Sequence, residues 1–125
     1  MLRVSRMADY GMTLMFHLSQ TGPTSAHRLS ELSKLPYPTV AKVLKNLSSG
    51  RVLSSRRGVH GGYTMTRALS DITVYEVVCA IDGPLHLAVQ DPDESPAADW
   101  SQLAEQIESL LKTTSVEALM ASPGL

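Results

Sequence analysis

Residues 35–66 read LPYPTVAKVLKNLSSGRVLSSRRGVHGGYTMT, and this stretch decides the fold. Pro38 suits the first turn of a helix, where a missing backbone N–H is no loss. In the helix that it opens, residues 38–48, apolar side chains recur at helical spacing. The apolar positions are Val40, Val43, Leu44 and Leu47, and the positions away from them are Lys42, Lys45 and Asn46. The pattern predicts a helix that is buried on one side and basic on the other.

A β-hairpin is predicted directly after this helix. Residues 52–57 favour a strand, and residues 63–66 return as a second strand. The turn between them, residues 58–62, is rich in glycine, which tolerates positive φ. Arg56 and Arg57 therefore lie near the tip of the hairpin, as in a wing.

Two further helices are predicted before the basic helix. Residues 7–18 carry a broad apolar stripe at helical spacing, which Gly22-Pro23 ends. Ser25 is a suitable N-cap for a short helix over residues 27–34. A tight turn joins this short helix to the basic one, so the pair forms a helix-turn-helix with the hairpin as its wing.

Helices are also predicted after the hairpin. Thr73 and Glu76 have the spacing of a capping box, which opens a helix that runs to about Ile81. Asp99 is a suitable cap for a longer helix over residues 100–112, and a short helix with a serine cap follows over residues 115–121. The apolar stripe of the longer helix is too strong for a helix that faces water on all sides. Its members are Trp100, Leu103, Ile107, Leu110 and Leu111.

The predicted fold class is mainly α with a small β-hairpin, a winged helix-turn-helix followed by a long C-terminal helix. Its predicted divisions are a winged helix-turn-helix over residues 1–84, a loop over residues 85–99, and a C-terminal segment over residues 100–125.

Charge is divided unevenly along the chain. Residues 1–67 hold ten Lys and Arg against two acids, a net charge of +8, whereas residues 68–125 hold one Lys against ten acids, a net charge of −9. This division indicates one end that faces a polyanion and a separate acidic end. The alternative is that the two halves pair electrostatically within the fold.

Double-stranded DNA is the polyanion that this arrangement favours. A recognition helix places its N-terminal residues against base edges in the major groove, and a wing can insert arginine into the minor groove. The expected base-reading residues are Tyr37, Thr39, Ala41, Lys42 and Arg57. The expected backbone contacts, which position the protein without specifying sequence, are Arg3, Arg6, Arg28, Lys45, Arg56 and His60.

Other classes of function find little support in the residues. The four histidines are scattered, and no nucleophile, base and acid lie in a recognisable arrangement, so the chain is not expected to be an enzyme. No motif with metal-ligand spacing occurs, and the single cysteine, Cys79, excludes an internal disulfide framework. No apolar run is long enough to cross a bilayer, so we expect a cytoplasmic protein without a membrane partner.

Several of these motifs together resemble the IscR/NsrR family of bacterial winged-helix regulators, also called Rrf2. The matching stretches are LRVSRMADYG (residues 2–11), LPYPTVAKVLK (35–45), RGVHGGY (57–63) and AIDGPL (80–85). Within the family they are closest to the regulators of SUF iron–sulfur assembly operons. The resemblance implies a homodimer in which the long C-terminal helix of each subunit, with its stripe from Trp100 to Leu111, crosses its partner. It also implies repression, or activation, at a palindromic operator.

The chain departs from the family at the cofactor. Family members that sense iron–sulfur status carry three cysteines in the loop after the Asp-Gly-Pro segment, whereas residues 85–99 contain none. Because thiolates hold such clusters, we expect no cluster here. Cys79 lies among Val77, Val78 and Ala80 in a predicted helix, so we expect it to be a buried structural thiol. Two alternatives stay open: a sensor that uses non-cysteine ligands or redox chemistry, and a protein-interaction module that has lost operator binding, as the apolar Ala41 in the reading helix suggests.

Overall fold

The computed structural model describes residues 4–58, 61–84 and 97–121, and within them the fold is mainly helical. The helices are α1 (Arg6–Thr21), α2 (Ala26–Ser33), α3 (Tyr37–Ser49), α4 (Val74–Asp82), α5 (Ser101–Thr113) and α6 (Val116–Ala121), with one 3-10 turn at Leu69–Asp71 before α4. Strands β1 (Leu53–Arg56) and β2 (Gly62–Met65) pair in an antiparallel hairpin. The predicted fold class, helical with one hairpin, is confirmed.

Side-chain caps explain where the helices begin. The hydroxyl of Ser25 accepts a hydrogen bond from the backbone N–H of Arg28 at 3.1 Å, which confirms the cap predicted for α2. Thr73 and Glu76 form the predicted capping box at the start of α4, each side chain accepting from the other residue's backbone N–H. At α3, Pro36 occupies the N-cap without a side-chain hydrogen bond, and a proline lies in the first turn.

Helices α1, α3 and α4 enclose one apolar core, to which β1 and α6 contribute. Its fully buried residues include Leu14 and Met15 of α1, Val43, Leu44 and Leu47 of α3, and Val77 of α4. Burying each such side chain stabilises the fold by about 1.5–3 kcal/mol. The polar face of α3 is therefore held outward by the apolar face that packs beneath it.

The C-terminal helices return to this same core. The backbone N–H of Val116 donates to Ile72 O at 2.8 Å, and that of Val74 donates to Thr114 O at 2.9 Å. The side chain of Val116 is fully buried. The segment after α5 is thus attached to the start of α4 and is part of the packing of the winged domain.

The start of α5 corrects one expectation from the sequence. Asp99 does not occupy the N-cap, because the helix begins one residue later and Trp100 takes that position. The Asp99 carboxylate accepts hydrogen bonds from the hydroxyl and the backbone N–H of Ser101, at 2.5 and 3.0 Å. Asp99 therefore still accepts from a free N–H of the first turn, although it lies one residue before the N-cap.

Cys79 is the second correction, because its side chain is half-buried and not fully enclosed. It lies one turn after Tyr75 on the side of α4 that meets α5. The hydroxyl of Tyr75 is hydrogen-bonded there to Glu108 and Cys79, which raises the pKa of Tyr75 to about 12. Lys112 lies over the Tyr75 ring at 4.7 Å and pairs with Glu108 at 3.0 Å. The polar contacts of Tyr75 therefore lie beside Cys79 where these two helices meet.

The two sides of α5 differ in burial. Leu110 is 66% exposed, and Trp100 and Leu103 are exposed as well. Ile107 is half-buried, while Leu111 is half-buried and packs against the core of its own chain. Of the predicted stripe, Leu111 thus packs within its own subunit.

Candidate nucleic-acid interface

Helix α3 presents a polar and basic surface because its other side is anchored in the core. Val40, Val43, Leu44 and Leu47 are fully buried, whereas Lys42 and Lys45 are exposed. Thr39 and Ala41 are half-buried on the same first turns, beside the exposed Tyr37. The structure therefore brings the four base-reading candidates of α3 together at its N-terminal half, as the sequence predicts.

Tyr37 has a contact that the sequence did not indicate. Its phenol ring is stacked on the imidazole ring of His27 in α2, with centroids 4.1 Å apart and planes 10° apart. The two residues are ten positions apart, across the turn of the helix-turn-helix. In the sequence, the stack is indicated only by an aromatic ring near the start of each of the two helices. The spacing alone does not show that the turn brings these rings together.

The wing is fixed to the body of the domain through its second strand. Thr24 and Tyr63 exchange two backbone hydrogen bonds, from Thr24 N to Tyr63 O at 2.9 Å and from Tyr63 N to Thr24 O at 2.8 Å. A Cβ on Gly62, whose φ is +136°, would lie 2.6 Å from the carbonyl carbon and oxygen of Thr24. Glycine at this position permits the close approach of the hairpin to the turn before α2.

The tip of the wing carries exposed basic residues. Arg56 ends β1 opposite Gly62, and Arg57 follows it at the surface. Arg28, in the first turn of α2, and Gly61, in the wing turn, line one shallow depression. The start of α2 and the wing turn are therefore neighbours on the surface.

Most of the basic residues of this surface have no acidic partner. In residues 4–58, 61–84 and 97–121 the ion pairs are Arg28–Glu31, Arg67–Glu76 and Lys112–Glu108. Within that part of the chain Lys42, Lys45, Arg56 and Arg57 therefore have no carboxylate within 4 Å. Only the Arg67–Glu76 pair joins the basic half to the acidic half there. The alternative in which the two halves neutralise each other finds little support.

The remaining backbone-contact candidates are distributed as follows. Arg6 is exposed in the first turn of α1, and Arg28 is exposed but pairs with Glu31 at 2.9 Å. Arg3 and His60, which the sequence also indicates as backbone contacts, lie outside the described residues. The roles assigned to all these residues stay predictions.

Comparison with known proteins defines the family. The family model described as Rrf2, iron-dependent transcriptional regulator, matches residues 4–122. The chain belongs to the Rrf2 family. It is a DNA-binding transcription regulator of the helix-turn-helix type, as its relatives are. Because the family consists of transcription regulators, the prediction that the chain is not an enzyme is confirmed.

Two named regulators illustrate the similarity in sequence. The HTH-type regulator CymR of Bacillus subtilis is 25% identical over 123 residues, covering 94% of this chain and 89% of that protein. The HTH-type regulator IscR of Xenorhabdus nematophila is 28% identical over 130 residues, covering 95% and 79%. The resemblance to the IscR-containing family predicted from the motifs is thereby confirmed.

Solved structures agree with the fold. The structure of CymR, the global cysteine regulator of B. subtilis, superposes with a TM-score of 0.76 at 26% identity, over 99% of this chain and 100% of that one. IscR of T. potens gives a TM-score of 0.67 at 26% identity, over 95% and 86%. A putative regulator from Listeria innocua gives 0.78 at 23% identity, over 98% and 89%, which supports the fold alone.

The residues present do not fit an iron–sulfur cluster of the usual kind. The sequence holds one cysteine, whereas clusters are bound by several thiolates. That cysteine, Cys79, has the hydroxyl of Tyr75 beside it. Within the described ranges, no three His, Cys, Asp or Glu side chains are grouped so as to hold a metal ion.

No helix in the described ranges is long and apolar enough to span a bilayer.

Proposed function

We propose that this regulator binds a palindromic operator as a homodimer and represses transcription there. The observation that carries the proposal is the surface of α3 and the wing, where Lys42, Lys45, Arg56 and Arg57 are exposed without acidic partners among the described residues. Unpaired cations on a helix and an adjacent hairpin are what attract the phosphates of a duplex.

Within this proposal the recognition helix reads bases and the wing reads the minor groove. Tyr37, Thr39, Ala41 and Lys42 face the major groove at the N-terminal half of α3, and Arg57 enters the minor groove. Thr39 can hydrogen-bond to a base or touch a thymine methyl, and Lys42 can donate to guanine O6 and N7. Arg6, Arg28, Lys45 and Arg56 contact phosphates, which sets the register on the duplex.

The homodimer is supported by the outer side of α5. Trp100, Leu103 and Leu110 form an exposed apolar surface on a helix of 13 residues. A second copy of the same helix would cover this surface, and a two-fold dimer then presents two recognition helices to two half-sites.

The regulator acts in this proposal without an iron–sulfur cluster, because Cys79 is the only thiol that the chain offers. Protein purified without oxygen should be colourless and free of stoichiometric iron. A brown protein with a cluster spectrum would overturn this part of the proposal and would favour ligands other than cysteine.

Selection of bound sequences from a random duplex pool tests operator binding. The wild type should enrich an inverted repeat at low and at moderate salt. The matched control is the variant Lys42→Ala/Lys45→Ala/Arg57→Ala, which keeps the buried side of α3 and should enrich no sequence. A wild type that enriches nothing even at low salt would contradict operator binding and would favour a protein-interaction module.

A further inference from the structure

His27 lies beside the DNA-binding surface proposed for α3, but none of the proposed DNA contacts involves it. It is in the first turn of α2, and its ring covers one face of Tyr37, with centroids 4.1 Å apart and planes nearly parallel at 10°. Both side chains are exposed, and 42% of Tyr37 is accessible. The stack is therefore a surface feature that core packing does not impose.

We propose that His27 is a positioning residue for Tyr37, which holds the phenol in the orientation that reads a base. His27 would then tune the sequence preference of the regulator without touching a base itself. The inference rests on the proposed function, since Tyr37 reads DNA only where α3 enters the groove.

The two flanking prolines restrict the backbone around Tyr37, so the main remaining freedom is rotation of its side chain. Pro36 precedes it with φ −59° and ψ 140°, and Pro38 follows it with a φ that its own ring restricts. An exposed tyrosine still samples several staggered rotamers, and ordering it on the DNA reduces affinity. A ring stacked on His27 in the free protein is ordered before the DNA arrives.

His27 lies in the first turn of α2 and Tyr37 is the first residue of α3, and their rings meet across the helix-turn-helix. Ser25 caps α2 and sets the position of its first turn, while the buried side of α3 sets the position of Tyr37. The neighbouring Arg28 points to Glu31 instead, at 2.9 Å. Of these two first-turn residues of α2, His27 contacts Tyr37, whereas Arg28 pairs with Glu31 within its own helix.

A purely structural role for the stack predicts a different result from a positioning role. If the stack only stabilised the fold, its loss would lower the free energy of unfolding and leave the sequence preference unchanged. If it positions Tyr37, its loss changes the preference at the base pair that Tyr37 reads, and a flat aromatic ring in place of His27 restores it.

The experiment uses the full chain with His27→Ala, His27→Phe, Tyr37→Ala and the double variant His27→Ala/Tyr37→Ala. In the free proteins, the Tyr37 ring protons should be shifted upfield in the wild type and in His27→Phe, and the shift should be lost in His27→Ala. On the duplex selected by the wild type, His27→Ala should bind about three- to tenfold more weakly, in keeping with the strength of an aromatic pair. His27→Phe should bind as the wild type does.

Two controls separate the possible failures. In the Tyr37→Ala background, His27→Ala should change affinity by less than about twofold, because its effect passes through Tyr37. On a duplex of unrelated sequence His27→Ala should bind as the wild type does. A His27→Ala variant with wild-type preference and affinity would overturn the positioning role while leaving operator binding intact. A wild type that selects no sequence would overturn both.

Discussion

Thr24 and Tyr63 form an isolated two-residue bridge that attaches the wing to the turn before α2. Their two backbone hydrogen bonds, 2.8 and 2.9 Å long, are the described backbone link between β2 and this turn. Because Arg56 pairs with Gly62, next to Tyr63, and Arg57 follows it, the bridge sets where these arginines are held relative to α3. The docked hairpin thus supplies the geometry on which the proposed minor-groove contact of Arg57 depends.

Gly62→Ala should displace the wing. Its φ of +136° strains any L-residue by about 1–3 kcal/mol, and the new Cβ would lie 2.6 Å from the Thr24 carbonyl, which adds about 1–3 kcal/mol. The free energy of unfolding should fall by the sum of these two costs. Operator affinity should fall by more than the loss of folded protein alone would cause. Urea denaturation and a binding titration on folded protein measure the two effects.

Gly58→Ala is the matched control for this change. Gly58 also has a positive φ, +113°, but a Cβ there would meet no atom within 4 Å among the described residues. It should lose stability through backbone strain alone and keep the wing docked. Equal losses of affinity in the two variants would show that the Thr24 contact does not position the wing.

Lys42 and Lys45 should differ in what their loss does to DNA binding. Lys42→Ala should relax the preference at one base pair, at a loss of about 1–3 kcal/mol on the operator. Lys45→Ala should weaken all duplexes alike and reduce the slope of log K against log salt by about 1. Titrations of operator and unrelated duplex at several salt concentrations measure both. Identical behaviour of the two variants would mean that α3 does not read the groove in this orientation.

Leu110 and Leu111 are adjacent but should affect different properties. Leu110 is 66% exposed and belongs to the proposed dimer surface, whereas Leu111 packs against the core of its own chain. Leu110→Glu should produce monomers, seen by sedimentation, with helical content preserved. Leu111→Ala should lower the free energy of unfolding by about 2 kcal/mol, less than a fully buried leucine would, with the dimer retained at high protein concentration. A dimer that survives Leu110→Glu would place the subunit contact elsewhere.

Short-range signals in the sequence were enough to predict the helices and the hairpin. The Ser25 cap, the capping box of Thr73 and Glu76, and the apolar side of α3 all depend on neighbours within a few positions, so their spacing carries the information. The stack of His27 on Tyr37 and the bridge of Thr24 to Tyr63 depend on how separate elements cross in space, which residue spacing does not encode. Cys79 was predicted as buried because apolar neighbours surround it in the chain, yet its side of α4 meets the polar residues of α5.

The pair of Arg67 and Glu76 should make stability depend on pH in the acid range. Hydrogen bonds from Arg67, 2.7 Å for the shortest, lower the pKa of the Glu76 carboxyl despite its partial burial, and the Thr73 backbone N–H lowers it further. The same contact raises the pKa of Arg67. A carboxyl whose pKa is lower in the folded than in the unfolded chain stabilises the fold above its ordinary pKa near 4.5. That contribution is lost as pH falls from there through the folded value.

Glu76→Gln should therefore lower the free energy of unfolding at pH 7 by about 1 kcal/mol, a value kept small because the side chains are 38% and 32% exposed. Near pH 3 the difference from the wild type should shrink, because this pH lies below the ordinary pKa of the carboxyl, near 4.5, and the contribution is lost as pH falls from there. Glu31→Gln is the control, because its pair with Arg28 has a similar distance, 2.9 Å, at 67% and 60% exposure and should contribute less. Urea denaturation at both pH values, at one protein concentration, measures all three proteins. If Glu76→Gln were as stable as the wild type at pH 7, or if its deficit persisted unchanged at pH 3, the ion pair would not be the source of the acid dependence.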